Sequence, residues 1–476
     1  MSRKKLWLFI IIIAGVTLRL LCAYSSYGFM GFDEYQTGIR PAGMKLLLDP
    51  AYVFTDAARS PILYYLDYYL FLLASKTFGI TSPVWLLRFA MMVVGLFSSL
   101  MIYMAYRISL LVNRDDNNAL TVASLFAFYF AMPFIGTRLM SEALSSFFVI
   151  AAVYFATRSW RMDDKGSNIF LSGLLFGVAA MFRFQAGLLF MGMLLFLSIY
   201  DLRHRAKWLL FGGVLALILQ IILDYATFGG FLTSIFGYVK FQMQVLATHS
   251  SQPWYNFILL LFGLTLPIAT ITTLPAFLRS CARHLWLCVP LAFFVIFHCF
   301  SPHKEERFMF PIIPLFILMM GLGMKKARGF WSKFSAYWFW SVNGILLFLV
   351  IFSPTLSNVT EPMDYVRRSG FEVFASDSPL VPDFFVAYFG KTDVVDRYKW
   401  KSYLCALDKN KKTYIHTVFQ QDETKLEASA QECGIKLIYI DNFRSGLADR
   451  IVAKLNPTFN RRRVNGYLYV VDRTGS

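Results

Sequence analysis

The charged run HKEERF at His303–Phe308 separates two apolar segments, LWLCVPLAFFVIFHCF at Leu285–Phe300 and MFPIIPLFILMMGLG at Met309–Gly323. At a helical rise of about 1.5 Å per residue, each segment covers about 24 Å of a hydrocarbon core that is about 30 Å thick. Helices this short cannot carry their connecting loop far into water, so we expect the charged run to lie at the headgroup boundary. A charge at the centre of a bilayer costs about 2.5–3.5 kcal/mol on insertion scales, and charges held at membrane level therefore commonly have a function.

The composition of the whole chain is that of a membrane protein. Of its 476 residues, 57% are hydrophobic and 18% are aromatic, and the repeated apolar runs predict a polytopic α-helical membrane protein. The net charge of +17 is accounted for by basic loops on one side of the membrane, so we expect the lipid bilayer and no nucleic acid as a partner. The six cysteines lack the spacing of a metal site. Cys405 and Cys433 lie in the polar tail and can form one disulfide if that tail is extracytoplasmic.

About eleven transmembrane helices are predicted, with the N-terminus in the cytoplasm and the C-terminus outside. The predicted spans are Leu6–Ala23 and residues 84–106, 118–135, 142–157, 168–182, 186–200, 207–223, 256–277, 285–300, 309–323 and 336–352. This topology places most basic residues in the inner loops, in agreement with the positive-inside rule. The tyrosine-rich segment Pro61–Ile80 contains Asp67, and counting it as a span would invert every later loop. We therefore predict that this segment is an interfacial helix.

Two domains are predicted from the change in composition after Pro354. Residues 1–353 form a transmembrane catalytic domain, in which residues 24–83 are a first external loop with interfacial helices. Residues 354–476 form a small extracytoplasmic α/β domain. Its predicted strands are Glu372–Ser376, Phe384–Phe389, Thr413–Phe419, Lys436–Ile440 and Tyr467–Val471, and its predicted helices are Glu423–Cys433 and Ala448–Leu455. Asn358-Val359-Thr360 matches the N-glycosylation pattern, which is common by chance.

Charged residues at membrane level recur on the outward side of this topology. They are Asp33, Glu34, Arg138, Glu142, Arg183, Asp224, Lys304 and Arg307. Each of them alone is explained by a structural ion pair or by a helix end that reaches the interface. Together, cations and carboxylates facing one compartment suit an anionic lipid headgroup bound beside an acid or base. The sequence lacks a Gly-rich phosphate loop and an Asp-x-Asp pair, so we expect a phosphorylated donor to be held by side-chain cations, without a metal or cofactor.

These motifs resemble glycosyltransferase family 22, the polyprenyl-phosphate-mannose-dependent α-mannosyltransferases of the GT-C superfamily. The His303–Phe308 run, followed by Pro311 and Pro314, carries the most specific part of the resemblance. Further ordered matches are Asp33-Glu34-Tyr35-Gln36, Arg59-Ser60, Thr137-Arg138 with Ser141 and Glu142, Asp224 with Phe228-Gly229, and Ser251-Gln252-Pro253-Trp254-Tyr255. Two positions depart from the pattern, since Phe32 stands where proline is usual, and Arg183 begins Arg-Phe-Gln in place of Arg-Pro-Thr.

The resemblance implies a GT-C fold and a site on the extracytoplasmic face. It implies inverting transfer of mannose from polyprenyl- or dolichyl-phosphate mannose to a glycan or glycolipid acceptor, as an α-mannoside. Asp33 would be the general base, with Glu34 orienting or replacing it. The donor phosphate would be held by Lys304 and Arg307, with His303, Arg138 and Arg183 as further candidates. Trp254, Tyr255 and Gln36 would contact sugar or acceptor, although the two aromatic residues also suit a membrane-interface belt.

Two alternatives remain open from the sequence. The same fold can transfer another lipid-phosphate sugar, and a non-catalytic glycolipid transporter can bind the same headgroup. A transporter typically shows internal repeats and broken helices at mid-bilayer, and the chain shows no repeat, which favours an enzyme. Short loops and the lack of a retrieval signal favour the bacterial inner membrane over the endoplasmic reticulum membrane.

Overall fold

The computed structural model describes residues 3–30, 32–161, 166–200, 202–248, 252–325, 329–378, 391–396, 398–408, 410–418, 423–455 and 465–472. Its α-helices are α1 Arg3–Ser25, α2 Phe32–Glu34, α3 Arg40–Gly43, α4 Ile62–Phe78, α5 Pro83–Ser98, α6 Leu100–Asn113, α7 Asp116–Phe128, α8 Ala131–Ile135, α9 Ser141–Arg161, α10 Ser167–Phe182, α11 Gly187–Ile199, α12 Arg203–Phe228, α13 Thr233–Thr248, α14 Asn256–Gly263, α15 Thr270–Arg283, α16 Leu285–Phe300, α17 Ile313–Gly323, α18 Phe330–Phe352, α19 Ser357–Ser369, α20 Trp400–Cys405, α21 Glu423–Glu432 and α22 Leu447–Leu455. The strands are β1 Val373–Ser376, β2 Lys391–Val394, β3 Thr413–Thr417, β4 Leu437–Arg444 and β5 Asn465–Val471.

The chain forms two compact units. The first unit comprises Met1–Ala23, Val53–Leu63 and Met91–Phe348, and the second comprises Tyr24–Tyr52, Tyr64–Ala90 and Leu349–Ser476. The predicted domain boundary after residue 353 stays a prediction, because the two units combine separate stretches of chain.

Helical backbone covers most of each of the eleven predicted spans. Among the described residues, five helical stretches are long and apolar enough to cross a membrane: Arg3–Ser25, Pro83–Asn113, Ser141–Arg161, Arg203–Phe228 and Phe330–Ser369. The pair α15 and α16 adds a sixth if it is one broken span, and it bends by 113°. Shorter apolar helices lie at Ser167–Phe182, Phe184–Ile199 and Ile313–Gly323. The chain is therefore a multi-pass membrane protein, as predicted.

The predicted span 256–277 is interrupted in the structure. Its residues are divided between α14, which ends at Gly263, and α15, which begins at Thr270. Leu266 and Ile268 in the connection have positive φ angles of 59° and 71°. A helix cannot continue through left-handed backbone. The apolar pattern of this segment does not reveal the break.

Small residues decide how the helices around the centre of the first unit pack. A Cβ added to Gly173 of α10 would lie 2.0 Å from the backbone oxygen of Leu209 in α12, and one added to Gly212 would lie 2.1 Å from that of Phe170. A Cβ on Gly192 of α11 would lie 2.6 Å from Pro290 of α16. Glycine thus allows α10 to pack closely against α12 and α11 against α16, because only a residue without a side chain leaves room for such close approach.

The second unit contains the first-loop helices and the C-terminal sheet. The loop carries α2, two short π-helical stretches at Tyr35–Ile39 and Met44–Leu48, and α4. Helix α4 agrees with the predicted helix Pro61–Ile80 and is not among the described helices long enough to span the membrane. Its place at the interface stays a prediction.

The C-terminal part is a five-stranded mixed sheet in the order β2-β1-β3-β5-β4. Strands β2, β1 and β3 are parallel, and β5 is antiparallel to β3 and β4. Cys405 and Cys433 form a disulfide, beside an apolar cluster that includes Trp400, Leu404 and Leu426. The predicted α/β character of this part of the chain is therefore confirmed.

Several local predictions in this part need correction. Strand β2 and helix α19 were not predicted, and the predicted strand Phe384–Phe389 lies outside the described residues. Strand β2 has only four residues, Lys-Thr-Asp-Val, which are too few to show the alternation of polar and apolar residues that predicts a strand. Asn358 of the glycosylation pattern is fully buried in α19, and its Nδ2 donates to the Asn465 carbonyl at 3.1 Å. The folded chain therefore does not present Asn358 for glycosylation.

Candidate functional site

The charged run after α16 is organised by Glu305. The Arg307 guanidinium donates from Nε to Glu305 Oε2 at 2.7 Å and from Nη2 to Oε1 at 3.1 Å. The His303 Nε2 lies 2.8 Å from the same Oε1. Burial raises the pKa of Glu305, but the positive charge and hydrogen bonds of Arg307, followed by those of His303, hold it below its ordinary value overall. Glu305 therefore braces both basic residues as an anion, while Glu306 is exposed.

Lys304 points away from this group and into the protein. Its side chain is 7% exposed, and its Nζ donates to the Gln252 carbonyl at 3.2 Å and to the Ser301 carbonyl. Burial lowers the pKa of the Lys304 ammonium. The Gln252 N–H also donates to the Pro302 carbonyl at 3.0 Å. Lys304 thus joins the charged run to the segment before α14, and an ammonium has three N–H donors, of which these contacts use two.

Arg183 and Glu142 form a buried ion pair at the C-terminal end of α10 and the N-terminal end of α9. Arg183 Nη1 lies 3.2 Å from Glu142 Oε1, and the two side chains are 8% and 3% exposed. The Ser141 hydroxyl donates to Glu142 Oε2 at 2.8 Å. The Arg183 guanidinium also lies 5.0 Å from the centre of the Phe308 ring. The structure therefore brings Arg183 beside the end of the charged run.

Tyr238 and Arg59 extend this cluster, and Tyr238 was not among the predicted site residues. The Gln242 Nε2 donates to the Tyr238 hydroxyl at 2.8 Å. Burial raises the pKa of Tyr238, and the positive charges of Arg183 and Arg59 oppose that rise. The Arg59 guanidinium lies 4.8 Å from the Phe241 ring. A single tyrosine on a short amphipathic helix carries no signal in the sequence that would single it out.

Asp224 has a structural role in a network that ties α12 to α13. The Gln220 amide donates to Asp224 Oδ1 at 2.7 Å and accepts from the Ser60 hydroxyl at 2.9 Å. Both the N–H and the hydroxyl of Ser234 donate to Asp224 Oδ2 at 2.9 Å. The Arg59-Ser60 and Asp224 motifs therefore meet in one buried hydrogen-bond network.

An apolar cleft of about 250 Å³ opens between α11 and the pair α10 and α12. Its walls include Ala180, Phe190, Val214 and Leu217, and along α12 the lining runs from Leu210 to Gln220, which is about 15 Å of helix. Phe184 lines the cleft, and its ring lies 5.1 Å from that of Tyr238. Phe184 therefore links the wall of the cleft to Tyr238 of the Arg183 cluster.

The other candidates in the first unit are one buried arginine and two exposed aromatic residues. Arg138 is fully buried, with its guanidinium 4.2 Å from the Phe134 ring, and its phosphate-binding role stays a prediction. Trp254 and Tyr255 are 62% and 46% exposed, and their rings lie 5.9 Å apart. Both are accessible to a ligand, and their sugar-binding role also stays a prediction.

The acidic candidates belong to the second unit. Asp33 and Gln36 are partly exposed on the first loop, whereas Glu34 is 3% exposed. The Met30 N–H donates to Glu34 Oε2 at 2.6 Å, and the Thr37 hydroxyl donates to the Asp33 carbonyl at 2.7 Å. Asp67 of α4, which the sequence left without a role, is fully buried, and its charge interacts with that of Glu34. Within the described residues, no group of three or more His, Cys, Asp or Glu side chains is placed to hold a metal ion.

The sequence matches the Alg9-like mannosyltransferase family over residues 7–376. The chain belongs to that family. It is 26% identical over 201 residues to the human "Alpha-1,2-mannosyltransferase ALG9", which is 37% of this chain and 32% of the relative. It is 23% identical over 285 residues to "GPI mannosyltransferase 3" of Eremothecium gossypii, which is 52% of this chain and 46% of the relative. The chain thus matches about a third to a half of the length of these curated relatives.

Solved structures show the fold of this family member. ArnT from Cupriavidus metallidurans, solved bound to undecaprenyl phosphate, superposes with a TM-score of 0.66 at 11% identity, over 97% of each chain. The oligosaccharyltransferase of Archaeoglobus fulgidus, solved in complex with Zn and sulfate, gives a TM-score of 0.52 at 14% identity, over 89% of this chain and 69% of that chain. The predicted GT-C fold is confirmed.

Proposed function

We propose that this protein is an inverting α-mannosyltransferase of the membrane. It transfers mannose from a polyprenyl- or dolichyl-phosphate-mannose donor to a glycan or glycolipid acceptor on the extracytoplasmic face. The observation that carries the proposal is the apolar cleft, whose lining residue Phe184 directly follows Arg183 in the chain and packs 5.1 Å from the Tyr238 ring. A long apolar chain with an anionic head requires this combination of surfaces.

The donor fits the cleft and its polar end. The isoprenoid tail would lie along α12, and the phosphate would lie near Arg183 and Phe308. Lys304 and Arg307 would contact the phosphate, and His303 the phosphate or the sugar. Cations in a site that excludes water stabilise the charge that develops on the leaving phosphate. Membership of a mannosyltransferase family and the undecaprenyl phosphate bound by ArnT support this choice of donor.

The reaction is a single displacement in this proposal. The acceptor oxygen forms a bond to the anomeric carbon, while the bond between that carbon and the phosphate oxygen breaks. Asp33 takes the acceptor proton, Glu34 supports it, and polyprenyl phosphate leaves with the bonding electrons. The β-linked mannosyl group thereby becomes an α-mannoside. The reaction as proposed uses no metal or cofactor.

The outer location of the reaction rests on two observations. The basic inner loops orient the chain by the positive-inside rule. The Cys405–Cys433 disulfide is typical of an oxidising compartment such as the periplasm or the lumen of the endoplasmic reticulum. We keep the bacterial inner membrane as the proposed location. The relatives named above come from eukaryotes and the structural neighbours from a bacterium and an archaeon, so they favour neither membrane.

Purified protein incubated with polyprenyl-phosphate mannose and a panel of glycolipids tests the activity. We expect one acceptor class to gain a single α-linked mannose, identified by linkage analysis. Transfer only from other lipid-phosphate sugars would replace mannose as the donor sugar. Binding of donor without any transfer would favour the glycolipid transporter.

The variant Asp33→Asn tests the proposed base. Removing a general base lowers the rate by about 10²–10⁴-fold, while donor binding should remain unchanged. Asp49→Asn is the matched control, because Asp49 is an exposed carboxylate of the same external loop and its loss should change neither quantity. Full activity of Asp33→Asn would remove Asp33 from the mechanism.

A further inference from the structure

Asp67 lies in the middle of the buried face of α4. Its neighbours on that face, Tyr64, Phe71 and Ala74, are each at most 2% exposed, and Asp67 itself is fully buried. Both of its carboxyl oxygens lack a hydrogen-bond partner within the described part of the chain. An ionised carboxylate without a partner in apolar surroundings is so unfavourable that the group normally takes up a proton.

Glu34 strengthens this effect. It is the ionisable group among the described residues whose charge acts on Asp67, and burial together with that negative charge raises the pKa of Asp67 well above its usual range. Glu34 differs from Asp67 because its Oε2 accepts the Met30 N–H at 2.6 Å. A backbone donor favours the charged form of a carboxyl group. One of the two acids is therefore held as an anion and the other is driven towards its neutral form.

We propose that Asp67 is a protonated positioning residue, so that Asp67 and Glu34 together carry a single negative charge, which resides on Glu34. Two interacting carboxyl groups lose their protons in two well-separated steps. Ionisation of Asp67 would add a second negative charge that repels Glu34 of the Asp33-Glu34 motif. The link to catalysis rests on the proposed function, whereas the protonation state does not.

Infrared difference spectroscopy of the full-length protein against Asp67→Asn tests the protonation state without any substrate. The wild type should show the carbonyl stretch of a protonated carboxylic acid near neutral pH, and the variant should lack it. Asp49→Asn should retain the band. A wild-type spectrum without the band, or a band that survives in Asp67→Asn, overturns the proposal.

The pH dependence of transfer tests the positioning role. Asparagine mimics the neutral acid, so Asp67→Asn should keep activity within about twofold at neutral pH and retain it at alkaline pH, where the wild type declines. If Asp67 had only a structural role that asparagine can fill, the wild type and Asp67→Asn would lose activity identically as the pH rises. That result would overturn the positioning role. Loss of activity at neutral pH in Asp67→Asn would show that an ionised Asp67 is required, which also overturns it. If no transfer is found with any variant while the infrared band is present, the proposed function fails and the protonation state stands.

Discussion

Glu142 and Asp67 are carboxyl groups with nearly the same burial and opposite surroundings. Glu142 in the first unit is 2% exposed and lies 3.2 Å from the Arg183 guanidinium. Asp67 in the second unit is fully buried, and neither of its carboxyl oxygens has a hydrogen-bond partner among the described residues. A buried carboxyl group avoids an isolated charge either by pairing with a cation or by keeping its proton. The two residues follow these two routes.

Burial alone therefore does not determine the role of an acidic residue in this protein. A paired carboxylate orients its cation, as Glu142 does for Arg183 and Glu305 does for Arg307. A neutral acid instead limits the charge of its neighbour. Substitution of the two kinds of carboxyl group should therefore have effects of different size.

Removing Glu142 should have the largest effect. Glu142→Ala leaves the Arg183 charge buried without its counter-ion, and breaking one side of a buried pair costs about 3–5 kcal/mol. Thermal unfolding in detergent should show this loss. The double variant Glu142→Ala/Arg183→Met removes both charges and should recover much of the stability. If the double variant is as unstable as the single one, the pair is not the source of the effect.

Filling the cleft should have an intermediate effect. Leu217→Trp places a larger ring in the cleft and should lower kcat/KM for a long-chain donor about tenfold, with little change for a short-chain donor. Leu219→Trp is the matched control, because Leu219 is as exposed as Leu217, at 42% against 44%, and is not part of the cleft lining. An equal loss with both donors, or an equal loss in the control, would contradict a tail-binding cleft.

Neutralising Glu305 should have the smallest effect. Its pKa is held low in the folded protein, so it stabilises the fold above the pKa of the unfolded chain, and this contribution is lost as pH falls through the folded pKa. Glu305→Gln should therefore unfold at a slightly lower temperature than the wild type at neutral pH. The difference should vanish in acid. A difference that persists unchanged in acid would show that charge is not what Glu305 contributes.

Much of the fold could be predicted from the sequence, because apolar runs of membrane length leave few alternatives to a helix. The eleven predicted segments, the helix around Asp67 and the α/β tail all followed from hydropathy and composition. The break between α14 and α15 could not be predicted in this way, because Leu266 and Ile268 are apolar residues whose left-handed backbone is not indicated by their side chains.

The candidate site was predicted in part. The His303–Phe308 run and Arg183 are motif residues, and the structure brings Arg183 to Phe308. Tyr238 and the cleft depend on contacts between α10, α11, α12 and α13, which no local pattern encodes. Asp67 was visible as a charge in an apolar segment, but only the structure shows that its carboxyl oxygens lack a hydrogen-bond partner among the described residues.

The anomeric configuration of the product decides whether the protein is an inverting mannosyltransferase. Polyprenyl-phosphate mannose labelled with ¹³C at the anomeric carbon should give an acceptor whose one-bond carbon–proton coupling is that of an α-mannoside. This result is predicted for a single displacement from a β-linked donor. A β-mannoside, or labelled mannose released only into water, would contradict the account.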